Sequence, residues 1–395
     1  MFNIYLDFAS TTSVDPQVVK AMAPYWTDIF GNPSNLYEIG RQAFSALEKS
    51  RDSIAKNLNC LSEEIIFTSG GTESCNLALQ GLARNFPQGH IIISAIEHHA
   101  VLNSANYLKR QGFDLTIVKP EKNGIIDPQK IKDAICDKTF LISVMWVNNE
   151  IGTIQPIKKI SRMLERINQQ RIARAQKKIY FHTDACQAGL YIKIDFKKIT
   201  ADLLSLNGSK IYGPKGAGIL FVRQKTPLAP LFFGGDQELG LRPGTQPVAL
   251  YVGLAKAIEL VENLREKENK RLAKLQNYLM KKLRQKFPNI ILNGDEKKRI
   301  AANVNISVPA VEGEALSLML DEEAVMVATG SACASSDLKP SHVLTALGIS
   351  DELAHSSIRI TMGRSTTKKD LDYFLISLEK VYKKLKQISA ITEFL

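Results

Sequence analysis

The stretch that decides the fold is ADLLSLNGSKIYGPKGAGILFV, residues 201–222. It holds two short apolar runs, residues 201–206 and 217–222, on either side of a glycine-rich turn. Apolar runs of this length, bounded by glycine and proline, are typical of buried β-strands. Five similar runs precede it: EIIFTS (64–69), HIIIS (90–94), DLTIVK (114–119), FLISVMWV (140–147) and KIYFHTD (178–184).

Helix-like segments separate several of these strand candidates. They cover residues 75–85, 100–111, 128–135 and 157–176. This alternation predicts an α/β fold with a mostly parallel sheet of seven strands. Functional side chains in such sheets gather at the carboxyl ends of the strands.

The last third of the chain has a different pattern. A long helical stretch, residues 248–287, is followed by a smaller α+β unit. Its strand candidates are NVNISV (303–308), AVMVAT (324–329) and SSIRITM (356–362), and its helix candidates lie near residues 314–320 and 369–388. We therefore expect two lobes joined by the long helix.

The composition excludes several classes of protein. The chain has 395 residues, 45% of them hydrophobic and 23% charged, which is typical of a globular protein and not of a disordered one. No apolar run reaches the roughly 18 residues of a membrane helix, and the N-terminus does not resemble a signal peptide. Five scattered cysteines do not form a disulfide framework, so we expect a reducing, cytoplasmic location and no membrane partner.

The formal net charge of +11 is concentrated in two stretches. Residues 158–178 and 265–299 are both strongly basic. Solvated helix faces are the simplest interpretation, and direct binding of nucleic acid is not expected. A docking surface for an acidic partner is a second hypothesis, in which Arg171, Arg174, Lys177 and Lys178 would contribute.

Small polar residues follow the first strand of the sheet. The sequence TSGGTES places Gly70, Gly71 and Thr72 between a strand and a helix. Backbone N–H groups in such a turn can hold a phosphate. An ordinary strand-to-helix turn with a threonine cap gives the same pattern, and this motif alone favours that interpretation.

Two adjacent histidines, His98 and His99, follow the strand at residues 90–94. They lack the spacing of metal ligands, and no metal site is expected. A histidine that stacks over an aromatic ligand, or a helix-start histidine without a ligand, fits the pattern better.

Two further strands end in groups that carry chemistry. Asp184 ends one strand and is followed by Gln187, while Lys210 follows the next strand in a glycine-flanked turn. Separately, the aspartate is a possible helix cap and the lysine a residue that reaches solvent. In an enclosed site, however, a lysine amine can form a Schiff base.

These four signals together fit a site for pyridoxal 5′-phosphate (PLP). Such a site needs a Schiff-base lysine, an aspartate for the pyridine nitrogen, a phosphate cradle and a residue that stacks on the ring. Lys210, Asp184, Gly71–Thr72 and His98 supply all four types at strand ends.

A fifth feature is Cys333, in GSACASS at residues 330–336. The small polar residues around it predict a mobile, exposed loop at about residues 329–340. An exposed thiol on such a loop is chemically vulnerable unless the protein uses it. The other four cysteines lie in element-like contexts, where a reduced thiol without a role is the expected interpretation.

The chain resembles the cysteine desulfurases of the NifS/IscS type (group I), PLP enzymes of the class V aminotransferase superfamily. The similar motifs extend from Tyr5 to about Leu385. They are YLDFASTT, GNPSN, FTSGGTES, EHHAVLN, VNNEIGTIQPI, HTDACQA, NGSKIYGPKG, LRPGTQP, GSACASS and SSIRITMGR.

The resemblance implies a type I PLP-dependent transferase fold and a homodimer. The large PLP-binding domain would span residues 15–261 and contain the seven-stranded sheet. A smaller α+β domain would combine residues 1–14 with 262–395 and carry the cysteine loop.

The resemblance also implies the roles of single residues. Lys210 would form the Schiff base with PLP, His98 would stack on its ring and shuttle protons, and Asp184 would pair with the pyridine nitrogen. Arg359 would bind the substrate carboxylate. The remaining cofactor contacts would come from Gly71, Thr72, Asn149, Gln187, Asn207, Ser209 and, from the other subunit, Thr245. Asn149 would also lie near the substrate.

The implied reaction removes sulfur from L-cysteine. Lys210 would take the Cα proton, and Cys333 would attack the substrate sulfur to give L-alanine and a persulfide on Cys333. The persulfide would pass to a sulfur-acceptor protein, either an iron–sulfur scaffold or a tRNA-thiolation enzyme.

Departures from the family pattern and two alternatives bear on these expectations. Ser209 stands where the family usually has histidine, residues 167–178 are longer and more basic, and the chain ends soon after its last predicted helix. A selenocysteine lyase or another class V PLP enzyme is one alternative. A non-catalytic PLP-fold scaffold that binds RNA or a sulfur carrier is the other, and the presence of Lys210, Asp184, His98 and Cys333 argues against it.

Overall fold

The structure, a computed structural model, describes residues 3–329 and 339–388, so Cys333 and its loop lie outside the described residues. In chain order the strands are β1 (Ile4–Tyr5), β2 (Ile65–Thr68), β3 (His90–Ser94), β4 (Asp114–Val118), β5 (Thr139–Ser143), β6 (Tyr180–Asp184), β7 (Leu203–Asn207), β8 (Gly218–Val222), β9 (Ile291–Leu292), β10 (Asn303–Ser307), β11 (Val325–Met326), β12 (Ala328–Thr329) and β13 (Ser357–Thr361).

The α-helices are α1 (Pro16–Met22), α2 (Pro24–Thr27), α3 (Glu38–Leu58), α4 (Gly71–Asn76), α5 (His99–Arg110), α6 (Pro128–Asp133), α7 (Ile157–Ala173), α8 (Val248–Lys286), α9 (Gly313–Glu322), α10 (His342–Ala346), α11 (Asp351–His355) and α12 (Lys368–Ile388). Shorter helical turns are Ser62–Glu64, Leu77–Gly81, Gly208–Lys210 and Gln237–Gly240. Within the described ranges, no helix is both long enough and apolar enough to cross a membrane.

The largest sheet has seven strands, in the order β2-β8-β7-β6-β5-β3-β4. Strands β3 to β7 run parallel to one another, and β8 is antiparallel to both of its neighbours, β7 and β2. The predicted mostly parallel sheet is therefore confirmed. Because β2 runs in the same direction as β7, the carboxyl ends of β2, β3, β5, β6 and β7 meet at one edge.

The sequence of these strands explains their position in the sheet. All residues of β2, β3, β5 and β8 are buried, whereas β4 at the sheet edge is partly exposed. Strands covered on both faces by helices read as continuous apolar runs, as in the three isoleucines of β3. The large core includes side chains on both faces of this sheet.

A second sheet lies in the last third of the chain. Strands β12, β13, β10 and β9 form it in that order, and all its pairings are antiparallel. It has a separate hydrophobic core. Helix α8 joins the two cores, because residues such as Leu254 and Ile258 lie in the first core and Leu279 and Leu283 lie in the second. The domain boundaries at residues 15 and 261 stay predictions.

Two strand candidates differ from the observed strands. The apolar run at residues 140–147 forms a strand only as far as Ser143. Beyond it, Val144 and Trp146 N–H still donate to carbonyls of β6, at 3.2 and 2.9 Å, whereas Met145 N–H donates to the Glu97 carboxylate at 2.8 Å. The run at residues 324–329 divides into β11, which pairs with β1, and β12, which pairs with β13.

The basic segment 158–178 is only partly a solvated helix face. Arg171 on α7 is 6% exposed. Its guanidinium donates to the carbonyls of Cys136, Asp137 and Lys177 at 2.8–3.2 Å. Arg171 therefore closes the end of α7 against the loop before β5, and the prediction that it is solvated is wrong. Lys178 pairs with the carboxylate of Asp202.

Candidate active site

The carboxyl edge of the seven-stranded sheet opens into a cleft of about 800 Å³. Nine of the predicted site residues line it: Gly71, Thr72, His98, Asn149, Asp184, Gln187, Asn207, Lys210 and Arg359. Most follow strands of the large sheet, whereas Arg359 comes from β13 of the small sheet. The fold therefore brings together groups that are up to 288 positions apart in the sequence, from Gly71 to Arg359.

Lys210 lies in a short 3₁₀ turn directly after β7. The side chain of Asn207 accepts the N–H of Ser209 at 3.0 Å and so starts this turn. The carbonyl of Ser209 accepts bonds from the backbone and hydroxyl of Thr12, at 2.9 and 3.1 Å. These contacts hold the turn against the N-terminal segment, and the Lys210 ammonium donates to the Ser10 carbonyl.

Asp184 ends β6 with its carboxylate fixed at both oxygens. Oδ1 accepts the N–H of Cys186 at 2.9 Å, and Oδ2 lies 3.7 Å from the thiol of Cys75, which donates to it. Burial raises the pKa of both thiols well above the usual value, and the negative charge of Asp184 raises them further. Both cysteines therefore stay neutral.

His98 is the N-cap of α5, and its Nδ1 accepts the N–H of Ala100 at 3.1 Å. The neutral ring must then carry its proton on Nε2. Burial lowers the pKa of His98, and the nearby His99 and Lys210 lower it further, while Asp184 raises it. His98 is thus held neutral, with Nε2 as the nitrogen that can donate.

Gly71, at the start of α4, touches the floor of the cleft. A Cβ at this position would lie 2.6 Å from the Cys186 sulfur, and the next nearest atoms, of Asn207, would be 3.7 Å away. The preceding Gly70 has φ +148°, which also favours glycine. The Cys186 sulfur is therefore the atom that a side chain at position 71 would overlap.

We expect Gly71→Ala to lower the free energy of unfolding by about 1–3 kcal/mol, because the methyl group overlaps the thiol. Adding Cys186→Ala should restore most of the loss, since it removes the overlapping sulfur. Denaturant unfolding of the single and double variants measures this coupling. Equal losses in both variants would show that the contact is not the cause.

Glu97 lies beneath the cleft and is completely buried. Its Oε1 accepts from Met145 N–H and from the Ser94 hydroxyl, while Oε2 has no partner among the described residues. Burial raises the pKa of Glu97 to about 8, against the opposing effect of these hydrogen bonds. The carboxyl group is therefore largely protonated at neutral pH.

This raised pKa gives Glu97 a predicted effect on stability. The folded protein holds the Glu97 proton more tightly than the unfolded chain, so the contribution is complete below pH about 4.5 and is lost as the pH rises towards about 8. We expect Glu97→Gln to reduce the loss of stability between pH 5 and 9, measured by denaturant unfolding. The exposed Glu63→Gln variant is the control, and the same pH dependence in Glu97→Gln and wild type would contradict the assignment.

Arg359 is 6% exposed and lies at the cleft wall beside Asn149. Its guanidinium donates to the Asn149 carbonyl at 2.9 Å and forms an ion pair with Asp7 at 2.7 Å. Glu150 is buried nearby and bonds to the Ser341 hydroxyl. Burial raises the pKa of Glu150 to about 7, which Ser341 and Arg359 partly oppose.

Two predicted site residues are described but are not among those that line the cleft. The Ser209 hydroxyl donates to Asn207 Oδ1 at 3.0 Å. Thr245 lines a different cavity of about 150 Å³, together with Trp26 and Phe30. Its predicted contact across a dimer stays a prediction. Cys333 lies outside the described residues.

The cleft also contains residues for which the sequence indicated no role. They are Ala9, Ser10, His99, Asn103, Met145, Val147, Glu150, Cys186, Thr329, Lys339, Pro340, Ser341 and His342. His342 Nε2 donates to the Glu97 carbonyl at 2.9 Å, and its ring lies 4.8 Å from that of His99. Within residues 3–329 and 339–388, no group of three or more His, Cys, Asp and Glu side chains could hold a metal ion.

Comparison with known proteins assigns the chain that forms this cleft to a family. The model of the aminotransferase class-V family matches residues 4–374. The cysteine desulfurase IscS of Dictyoglomus turgidum is 44% identical over 388 residues, which cover 98% of this chain and 96% of that protein. The cysteine desulfurase IscS of Methanosarcina thermophila is 45% identical over 391 residues, or 98% of this chain and 94% of that protein.

Comparison with solved structures supports the same family. A solved structure of a NifS-like protein superimposes with a TM-score of 0.90 at 32% identity, covering 97% of this chain and all of the other. The chain belongs to the aminotransferase class-V family and, within it, to the cysteine desulfurases. The predicted family and the type I PLP-dependent transferase fold are therefore confirmed.

Proposed function

We propose that this cleft converts L-cysteine to L-alanine and transfers the sulfur to Cys333, with PLP as cofactor. One observation supports the proposal most strongly. Lys210, Asp184, His98 and Arg359 come from different elements and line one cleft, in a chain 44% identical to a cysteine desulfurase.

The residues of the cleft fit PLP in their chemistry. An amine, a fixed carboxylate and an imidazole line the same space of about 800 Å³, and Gly71 places no side chain in it beside the sulfur of Cys186. PLP would supply an electron sink for the charge that develops at the substrate Cα. Lys210 would hold the cofactor, Asp184 would face its ring nitrogen and His98 would lie over its ring.

The remaining polar groups would complete the cofactor site. Gly71, Thr72 and Asn207 would hold the phosphate group, with Thr245 of the other subunit. Asn149 and Gln187 would contact the ring oxygen. The side-chain amide of Gln187 donates to the Ala9 carbonyl at 2.8 Å, so the N-terminal segment orients it.

Lys210 is the base that would move the Cα proton. Its side chain lines the cleft, and its ammonium contacts the carbonyl of Ser10, which also lines it. The amine must lose a proton before it can accept one, and the neighbouring imidazole of His98, held neutral, adds no second positive charge. Arg359 would bind the α-carboxylate and so orient the Cα–H bond towards Lys210.

Cys333 would take the sulfur. Its thiolate attacks the substrate sulfur, a sulfur–sulfur bond forms, the Cβ–S bond breaks, and the three-carbon product is protonated and released as L-alanine. The thiol of Cys333 becomes a persulfide, so the atoms of cysteine and enzyme are conserved as alanine and bound sulfur.

The wider biological assignment is also part of the proposal. A homodimer would complete each site with Thr245, and a sulfur-acceptor protein for iron–sulfur assembly or tRNA thiolation would receive the persulfide. We place the protein in the cytoplasm because its cysteines are few and scattered.

Purified protein incubated with PLP, L-cysteine and a thiol reductant tests the proposed reaction. We expect equal amounts of L-alanine and sulfide. L-Selenocysteine, supplied in a parallel assay, distinguishes a selenocysteine lyase, which would form alanine only from the selenium compound. No alanine from either substrate would favour the non-catalytic scaffold and overturn the proposal.

A further inference from the structure

The guanidinium of Arg359 is already engaged by the N-terminal segment, Asp7–Thr12. Nη2 donates to Asp7 Oδ1 and to the Ser10 hydroxyl, both at 2.7 Å. Nη1 donates to the Asn149 carbonyl at 2.9 Å. Three of the five N–H groups of Arg359 are therefore in use, and Nε is buried without a partner among the described residues.

This pattern restricts how a carboxylate can bind to Arg359. A bidentate pair uses two adjacent nitrogens, either Nη1 with Nη2 or Nε with Nη2. Both arrangements need an N–H of Nη2, and Asp7 and Ser10 hold both of them. An incoming carboxylate can therefore form a bidentate pair only by replacing one of these two contacts.

Asp7 is the contact that carries charge. Its side chain is 19% exposed and that of Arg359 is 7% exposed, so the pair is mostly removed from water. A buried guanidinium without a counter-ion is costly. Glu150 does not serve as this counter-ion at short range, because its carboxyl group bonds to Ser341.

The backbone that carries Asp7 is held on several sides. The Tyr5 hydroxyl lies 2.9 Å from the Asp7 carbonyl and 3.0 Å from that of Thr11. Ala9 N–H donates to the Thr361 hydroxyl at 2.9 Å, and Thr12 is bonded to the turn of Lys210. Any exchange at Arg359 is therefore a movement of the Asp7 side chain and not of the whole segment.

We propose that Asp7 is the resident counter-ion of Arg359 and that an amino-acid α-carboxylate displaces it from Nη2 on binding. Asp7 is then a specificity-determining positioning residue. It keeps the guanidinium aimed into the cleft, and it admits ligands whose carboxylate can replace its own. The inference rests on the proposed function, because it names the class of substrate that the same cleft selects.

The exchange predicts an unusual gain of affinity in the Asp7→Asn variant. The introduced amide would keep an oxygen acceptor for Nη2 but not the negative charge, so a ligand carboxylate would compete with a neutral hydrogen bond only. We expect the Asp7→Asn holoenzyme to bind L-alanine about fivefold more tightly than the wild type, measured by calorimetry. Ethylamine, which lacks the carboxylate, should bind both proteins equally.

A second ion pair of the N-terminal region provides a matched control. Asp15 pairs with Arg364 at 2.8 Å with side-chain exposures of 16% and 19%, and neither residue lines the cleft. We expect Asp15→Asn to leave the affinity for L-alanine unchanged. Thermal unfolding of both variants shows whether a general loss of structure contributes.

Unchanged or weaker binding of L-alanine by a folded Asp7→Asn protein would overturn the inference. An equal gain for ethylamine would also overturn it, since the effect would then not involve the carboxylate. The proposed function fails separately, if the wild type binds L-alanine but forms none from L-cysteine.

Discussion

The Lys210→Ala variant is expected to form L-alanine from L-cysteine at least about 10³-fold more slowly than the wild type. Proton transfer by a positioned side chain contributes about 10²–10⁴-fold, and this variant also loses the covalent attachment of the cofactor. Lys339 also lines the cleft, but among the described residues of that lining only Lys210 is a lysine in the turn after β7. Alanine formation with added PLP is the measurement.

The absorbance of the purified protein gives a second, independent result for the same variant. PLP linked to a lysine absorbs visible light, and this band should be missing in Lys210→Ala. Lys215 lies in the same glycine-rich turn but is exposed and does not line the cleft, so Lys215→Ala should keep both the band and the activity. An unchanged band in Lys210→Ala would mean that another lysine holds the cofactor.

The second large effect is expected for Cys333→Ala, which should form no persulfide and release alanine at least about 10²-fold more slowly. The described cysteines are poor replacements for this nucleophile. Burial raises the pKa of Cys60 to about 12, with Glu64 adding to the effect and Arg223 opposing it. Cys75 and Cys186 are buried neutral thiols beside Asp184.

Cys136 supplies the matched control for this experiment. It is an exposed cysteine that precedes β5, at the opposite edge of the sheet from the cleft. Cys136→Ala should therefore retain the wild-type rate. If Cys333→Ala kept full activity on L-cysteine, attack by Cys333 on the substrate sulfur would be excluded.

The sheet and much of the cleft could be predicted because local pattern and topology agree. A buried strand that runs parallel to its neighbours gives a continuous apolar run, and its carboxyl end is followed by the polar residues of the site. Asp184 and Lys210 are predicted in this way, since Asp184 ends β6 and Lys210 lies in the turn after β7.

Other elements left a weaker signal or none. Helix α3 was not predicted, although Ala43, Leu47, Ile54 and Leu58 recur at helical spacing on its buried face and Asn59 ends it in a left-handed conformation. The contact of Met145 N–H with the Glu97 carboxylate, just after β5, could not be predicted, because Glu97 comes from a loop 48 positions away.

Part of the site could not be predicted for the same reason, because it depends on contacts between residues far apart in the sequence. Ser10 lines the cleft and Asp7 reaches Arg359 at its wall, because β1 pairs with β11 and Ala9 bonds to β13. These contacts join residues more than 300 positions apart. No local pattern marks such residues. The YLDFASTT motif indicated the family but not that its serine and aspartate bind the guanidinium of Arg359.

A single turnover tests the central claim most directly. The PLP-loaded protein is mixed with less than one equivalent of L-cysteine, without reductant, and both L-alanine and protein-bound sulfur are measured. The account predicts one L-alanine for each sulfur atom gained, with the added sulfur on the peptide that contains Cys333. Alanine without bound sulfur, or sulfur on a different cysteine, would contradict it.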